Sequence, residues 1–131
     1  MKTVVVDTNV IIDIIRGDAV LPQLIGQFDR VLVPLVVLGE LHAGFSETRA
    51  DRAKRKAVER FLAVPSVQTA TLTEETVGCY ASIHRQLKKA GTPIPQNDVW
   101  IAAVAMEHGA VLCSRDRDFR AVANLRIIPE D

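Results

Sequence analysis

The sequence has few aromatic residues and no excess of charge of either sign. Phe, Trp and Tyr make up 5% of its 131 residues. Trp100 and Tyr80 fall within predicted helices, so we predict no aromatic platform for stacking single-stranded bases. Basic and acidic residues number 16 each, which argues against adhesion to nucleic acid or anionic membrane through net charge alone. This balance still allows a local basic groove around an acidic centre.

Cysteines and long apolar runs are also scarce. Cys79 and Cys113 fit no metal or redox spacing and are predicted to be small buried residues in a reducing cytosol. The longest apolar stretch, residues 31–38, is interrupted by Pro34 and is too short to span a bilayer. The apolar run after Lys2 is too short for a signal peptide. We therefore expect a cytoplasmic protein without a membrane partner.

The composition is that of a packed globular chain, because 48% of residues are hydrophobic and 24% are charged. The length predicts a single domain over residues 1–131. Apolar strand patterns are predicted at 3–6, 30–34, 67–70, 110–113 and 126–128. Helical patterns are predicted at 10–15, 18–28, 35–45, 48–62, 73–89, 97–108 and 116–123. This alternation predicts a three-layer α/β/α sandwich with a mainly parallel sheet, whose strands all end at one edge.

Four carboxylates are expected near that edge. Asp7 follows the first strand and Asp116 follows the fourth, while Asp98 opens a helix. Glu40 lies on an otherwise apolar helix, where a buried charge needs a partner. Each of the three aspartates could instead serve only as a helix cap or first-turn acid.

Carboxylates that meet repel one another, and a hard divalent cation removes that repulsion. Oxygen-only ligands indicate Mg²⁺, with Mn²⁺ as an alternative, rather than zinc. His42, His84 and His108 form no zinc-binding pair and are expected to be surface or partly packed side chains. Such a pocket suits phosphodiester hydrolysis, because the metal lowers the pKa of a bound water and polarises the phosphate.

Four segments occur in a specific order and spacing: VVVDTNVIIDII, LGELHAG, NDVWIAA and CSRDRDF. With them the chain resembles a PIN-domain ribonuclease and, within that superfamily, a VapC-type toxin of a bacterial toxin–antitoxin pair. The resemblance implies a PIN-like fold and a Mg²⁺-dependent endoribonuclease that hydrolyses RNA with metal-activated water. It also implies a homodimer held inactive by a cognate VapB-like antitoxin.

The resemblance also implies roles for individual residues. It assigns the catalytic and metal-binding roles to Asp7, Glu40, Asp98 and Asp116. It makes Thr8, Asn9 and Ser114 polar residues that orient the carboxylates. Asp118 is a further supporting residue, which could instead cap a helix or form a salt bridge. Arg115 and Arg117 flank Asp116 and are candidate contacts to RNA phosphates.

Two other functions fit parts of the pattern. One is a PIN-like module that binds RNA or a partner without catalysis. The other is an aspartyl-phosphate phosphatase, but that chemistry requires a second aspartate two residues after Asp7, where Asn9 stands. The basic run within 49–60 could steer RNA or form a solvated face. The resemblance places antitoxin docking on this helix and the one before it, where Phe45 and Phe61 are candidate contacts or core residues.

Overall fold

A five-stranded parallel sheet forms the centre of the computed structural model, which describes residues 2–130. The strands are β1 (Thr3–Val6), β2 (Arg30–Pro34), β3 (Val67–Ala70), β4 (Val111–Cys113) and β5 (Ile127–Ile128). They lie in the order β3-β2-β1-β4-β5, and every neighbouring pair is parallel. The predicted fold class is therefore confirmed. That one domain accounts for residues 1–131 stays a prediction.

Six α-helices and one 3₁₀ helix connect the strands in the described part of the chain. They are α1 (Thr8–Ile15), α2 (Val20–Ile25), α3 (Leu35–Ala43), α4 (Arg49–Leu62), α5 (Glu74–Ala90), α6 (Gln96–Glu107) and the 3₁₀ helix Arg117–Ala121. Helix α1 contacts α2, α3 and α4, and α5 contacts α6. Crossovers between parallel strands are right-handed as a rule, and with this strand order that hand puts α1–α4 on one face of the sheet and α5 and α6 on the other. None of these helices has the length and apolar composition needed to cross a membrane.

The strand order creates a switch point between β1 and β4. The chain leaves β1 towards β2 on one side, and it leaves β4 towards β5 on the other. In open parallel sheets, the crevice beyond the carboxyl ends of two such strands is where ligands bind. The residues that directly follow Val6 and Cys113 therefore face this crevice.

The apolar side chains of β1 suit its position in the middle of the sheet. Val4, Val5 and Val6 are fully buried, as a strand covered by helices on both faces must be. Helix α6 packs against β1 and β4 through a run of buried residues from Ile101 to Ala105. This packing places the first turn of α6, which carries Asp98, at the sheet edge where the strands end.

Two predicted helices differ from the structure. The helix predicted to reach Phe28 ends at Ile25, because residues 26–28 form tighter turns with bonds such as Phe28 N–H to Ile25 O. The segment predicted as a helix at 116–123 is a 3₁₀ helix of five residues, a type that occurs in short runs. Ala19 is the N-cap residue of α2, but Asp18 satisfies the first amides of the helix as a cap would, since its Oδ1 accepts from Val20 and Leu21.

Candidate metal centre

Asp7 is both a helix cap and a buried carboxylate at the switch point. Its Oδ1 accepts a hydrogen bond from the amide of Val10 at 3.0 Å, which caps α1. Its Oδ2 accepts from the hydroxyl of Ser114, directly after β4. Asp7 is only 5% exposed. The capping role and the site role predicted for Asp7 are therefore compatible, because each uses a different oxygen.

Ser114 connects Asp7 to the acidic loop after β4. While its hydroxyl donates to Asp7, the same oxygen accepts from the amide of Asp116 at 3.0 Å. Asp116 in turn caps the 3₁₀ helix, where its Oδ1 accepts from the amide of Asp118 at 2.9 Å. Ser114 itself is buried. This chain of bonds fixes the backbone that presents Asp116 and Asp118.

Glu40 reaches the same region from α3. The hydroxyl of Thr8 donates to Glu40 Oε1 at 2.8 Å. Thr8 is the first residue of α1 and follows Asp7 directly. This bond supplies the partner expected for a charge on an apolar helix, and it ties Glu40 to the residue next to Asp7.

Asp98 lies in the first turn of α6, whose N-cap, Pro95, makes no side-chain capping bond. Carboxylate oxygens of Asp98, Asp116 and Asp118 lie within 4.8 Å of one another. Asp118 is predicted to have only a supporting role, but the structure places it in this close carboxylate group of the described residues. Its position two residues after Asp116, in the same loop, was the available signal.

The carboxylates of the cluster lie close enough to repel one another. Burial raises the pKa of Asp98 to about 6, with further contributions from the charges of Asp116, Glu40, Asp118 and Asp7. Burial also raises the pKa of Asp7, although the bonds from Ser114 and Val10 oppose that rise. Asp98 and Asp7 therefore lie in a strongly negative cluster with the carboxylates of Glu40, Asp116 and Asp118.

This cluster suits a divalent cation. The clustered side chains offer only oxygen donors, which hard cations prefer. In the described residues the histidines lie outside this group of donors. His42 and His84 contact the rings of Phe45 and Tyr80, and His108 Nδ1 lies 2.9 Å from the carbonyl oxygen of Val104. The donor set and its excess negative charge therefore fit a metal such as Mg²⁺ or Mn²⁺ rather than zinc.

The remaining predicted site residues lie at the edge of the cluster. Asn9 and Arg117 are exposed. The guanidinium of Arg115 forms ion pairs with Asp18 at 2.6 Å and with Asp13 at 3.3 Å. Sequence reasoning missed these pairs, because roughly a hundred residues separate the partners and only the strand order brings them together. The predicted phosphate contacts of Arg115 and Arg117 stay predictions.

A model of the PIN domain family matches residues 4–125 of the sequence. The chain belongs to the PIN domain family. This PIN domain is 28% identical over 118 residues to ribonuclease VapC5 of Mycobacterium tuberculosis, covering 90% of this chain and 86% of that protein. The resemblance noted in the four sequence segments is therefore confirmed.

Solved structures of toxin–antitoxin proteins have the same fold. VapBC-5 of Mycobacterium tuberculosis, a member of the VapBC family of toxin–antitoxin systems, matches this PIN domain with a TM-score of 0.78 and 28% identity over 98% of each chain. VapBC2 of Rickettsia felis, bound to a DNA fragment from its promoter, gives a TM-score of 0.84 at 20% identity. That match covers 95% of this chain and 96% of the other, and it supports the fold alone.

Proposed function

We propose that this PIN domain is a metal-dependent endoribonuclease and the toxin of a VapBC-type pair. The observation that carries the proposal is the convergence of Asp7, Glu40, Asp98, Asp116 and Asp118 at the switch point of the sheet. The relatives named ribonuclease VapC support RNA as the substrate. The enzyme acts on RNA in the cytoplasm.

Mg²⁺ is the proposed cofactor, with Mn²⁺ as a substitute. Asp98, Asp116 and Asp118 would hold it together with Asp7 and Glu40. A bound divalent cation activates water, polarises the phosphate and neutralises charge on the leaving oxygen. The protein's own contribution is to hold several buried or half-buried carboxylates in fixed positions, so that little reorganisation is needed when the cation and the RNA arrive.

Polar neighbours supply that fixed geometry. Ser114 orients Asp7 and the backbone of Asp116, and Thr8 orients Glu40. Bonds of this kind fix the rotamers of metal ligands and sustain their affinity. Asn9, two residues after Asp7, is proposed to help orient the carboxylates. Arg117, exposed and next to Asp116, is proposed to contact an RNA phosphate.

A VapB-like antitoxin is the proposed protein partner. Support comes from the VapBC complexes that share this fold. A cavity between α1, α3 and α4 is lined in part by Glu40, Phe45 and Lys54. Phe45 packs partly on the core, and the guanidinium of Arg55 lies over its ring at 5.3 Å. An antitoxin bound there would contact the helix that carries Glu40. We further propose that the free toxin is a homodimer.

Cleavage of a defined single-stranded RNA by the wild-type protein and by Asp98→Asn tests the enzymatic function. We expect Asp98→Asn to lower the rate at least about 100-fold, the scale of removing one preorganised electrostatic contact. The fold should be retained, because the substitution removes a repelling charge. Asp7→Asn should behave similarly, and EDTA should abolish wild-type cleavage.

Asp29→Asn is the matched control. Asp29 is an exposed carboxylate that accepts a hydrogen bond from the amide of Lys2, just before β2 begins. The Asp29→Asn substitution therefore removes the same charge at the opposite edge of the sheet, and the variant should cleave RNA at the wild-type rate. Cleavage that persists in EDTA or in Asp98→Asn would contradict the proposal. Absence of cleavage by the wild-type protein with Mg²⁺ present would instead favour binding without catalysis as the function.

A further inference from the structure

Arg115 lies between Ser114 and Asp116 in the sequence, but its side chain binds elsewhere. Its Nη1 is 2.6 Å from Asp18 Oδ2 and 3.3 Å from Asp13 Oδ2. Asp13 belongs to α1, and Asp18 lies in the connection to α2. Ser114, before Arg115, bonds to Asp7, and Asp116 follows it. The backbone of the acidic loop is thus attached to the α1–α2 segment through Arg115.

This attachment adds to the bonds that hold the loop where it leaves β4. There the amide of Asp7 donates to the carbonyl oxygen of the last residue of β4, and the hydroxyl of Ser114 donates to Asp7. Arg115 forms a further attachment, to Asp13 near the end of α1 and to Asp18 beyond it. Because most of α1 separates this attachment from the others, it restricts the orientation of the loop relative to α1.

The Asp18 carboxylate that binds Arg115 is itself held in a fixed position. Its Oδ1 accepts from the amides of Val20 at 2.9 Å and Leu21 at 3.0 Å, while its Oδ2 takes the guanidinium. The hydrogen bond from Arg115 lowers the pKa of Asp18 to about 2, so the pair is ionised throughout the neutral range. The first turn of α2 therefore fixes the position of the Asp18 carboxylate, which in turn binds Arg115.

We propose that Arg115 is a positioning residue, whose ion pairs with Asp18 and Asp13 set the orientation of Ser114 and Asp116 for cation binding. The inference rests on the proposed metal-dependent function. It differs from a phosphate contact, because here the guanidinium is bound by two carboxylates and acts through the loop rather than on the RNA.

Asp18→Asn tests this role with little change to the fold. Asparagine caps helices as well as aspartate, so the bonds to the α2 amides are kept while the charge facing Arg115 is lost. We expect the Mn²⁺ dissociation constant to rise about tenfold, the lower end of the effect of losing a partner of metal ligands. The Mg²⁺ concentration for half-maximal cleavage should rise equally, with an unchanged KM for RNA at saturating Mg²⁺. Asp29→Asn, the remote control, should change neither.

Two substitutions of Arg115 test whether a positive charge at this position is enough to retain Mn²⁺ affinity. Arg115→Met keeps the apolar stem and removes the charge, whereas Arg115→Lys keeps a point charge that can still pair with Asp18. We expect Mn²⁺ affinity to decrease from wild type to Arg115→Lys to Arg115→Met. The double variant Asp18→Asn/Arg115→Met should bind Mn²⁺ no more weakly than Arg115→Met, because both changes break one interaction.

The outcomes separate three cases once circular dichroism shows that each variant is folded. Wild-type Mn²⁺ affinity in both Asp18→Asn and Arg115→Met would overturn the positioning role. A raised KM for RNA in Arg115→Met, with unchanged Mn²⁺ affinity, would overturn it in favour of a phosphate contact. Undiminished Mn²⁺ affinity and cleavage in Asp98→Asn would instead show that the proposed function itself is wrong.

Discussion

Single side chains in this site have structural and chemical roles at once. Asp7 caps α1 with one oxygen and receives Ser114 with the other. Asp116 caps the 3₁₀ helix and also has a carboxylate oxygen within 4.8 Å of those of Asp98 and Asp118. A capping carboxylate has a fixed rotamer, and a fixed rotamer is what a metal ligand needs. Capping therefore prepares these residues for cation binding.

Ser114→Ala should lower both stability and metal affinity. The change leaves the buried Asp7 Oδ2 without its hydroxyl donor, which costs about 1–3 kcal/mol for a buried polar group. It should also raise the pKa of Asp7 further, because the lost bond favours the ionised form. Urea unfolding and Mn²⁺ titration measure the two effects.

Ser82→Ala, at an exposed position of α5, is the control for Ser114→Ala. It removes the same hydroxyl away from the cluster and should change neither quantity. Equal unfolding free energies for the two variants would mean that Ser114 does not support Asp7.

The sequence predicted residues of the site better than the contacts between them. Asp7, Glu40, Asp98 and Asp116 were identified from local patterns and from the four family segments, and the structure brings them together. Arg115 was predicted to face phosphate because it adjoins Asp116. Its ion pairs with Asp13 and Asp18 depend on the loop after β4 passing the α1–α2 connection, which no local pattern encodes.

The 3₁₀ helix Arg117–Ala121 is the element that presents Asp116 and Asp118, and Phe119 anchors it. The Phe119 side chain is fully buried, whereas the two flanking positions, Asp118 and Arg120, are exposed. The helix type was not predictable, because the sequence here allows an α-helical turn. The short span between β4 and β5 and the hydrogen bond from the Asp118 amide to Asp116 favour the tighter form.

Phe119→Ala should destabilise the protein by about 3–5 kcal/mol, the usual cost of removing a buried phenyl ring. The milder Phe119→Leu retains an apolar anchor and allows metal binding to be measured in a folded protein. We expect Phe119→Leu to weaken Mn²⁺ binding, because the loop that carries Asp116 and Asp118 loses part of its support.

Ile83→Val is the control for an effect of core packing alone. Ile83 is fully buried on α5, and the change removes a methylene group outside the 3₁₀ helix. It should lower the unfolding free energy without changing Mn²⁺ affinity. A loss of affinity in Ile83→Val equal to that in Phe119→Leu would contradict a specific role for the 3₁₀ helix.

At the scale of the whole molecule, strand order creates the site. Asp7 and Ser114 are 107 positions apart in sequence, and they meet because β1 and β4 are neighbours. The alternation of strands and helices predicted parallel strands that end at one edge. It did not predict the order of those strands, because order depends on how the complete set of helices packs.

The negative cluster should make the stability of the metal-free protein depend on pH. The pKa of Asp98 is about 6 in the folded protein, raised from 3.8, so the folded state binds more protons than the unfolded state between these values. The free energy of unfolding should therefore fall as pH rises from about 4 to about 6, and then level off. Differential scanning calorimetry in EDTA measures this, and Asp98→Asn should flatten the profile.

Bound Mn²⁺ should offset this decrease in the free energy of unfolding at neutral pH. A cation at about 100 times its dissociation constant stabilises a folded protein by about 2.7 kcal/mol. This gain should vanish below about pH 5, because protons compete for the carboxylates. Stability of the metal-free protein that rises between pH 4 and 6 would contradict a repelling cluster.

The most direct test of the account is the anomalous difference density of crystals grown with Mn²⁺. We expect a peak in contact with the carboxylates of Asp98 and Asp116, between the ends of β1 and β4. The same map would identify which of Asp7, Glu40 and Asp118 also contact the ion. Density only at other surface carboxylates, with none in this cluster at saturating Mn²⁺, would contradict the account.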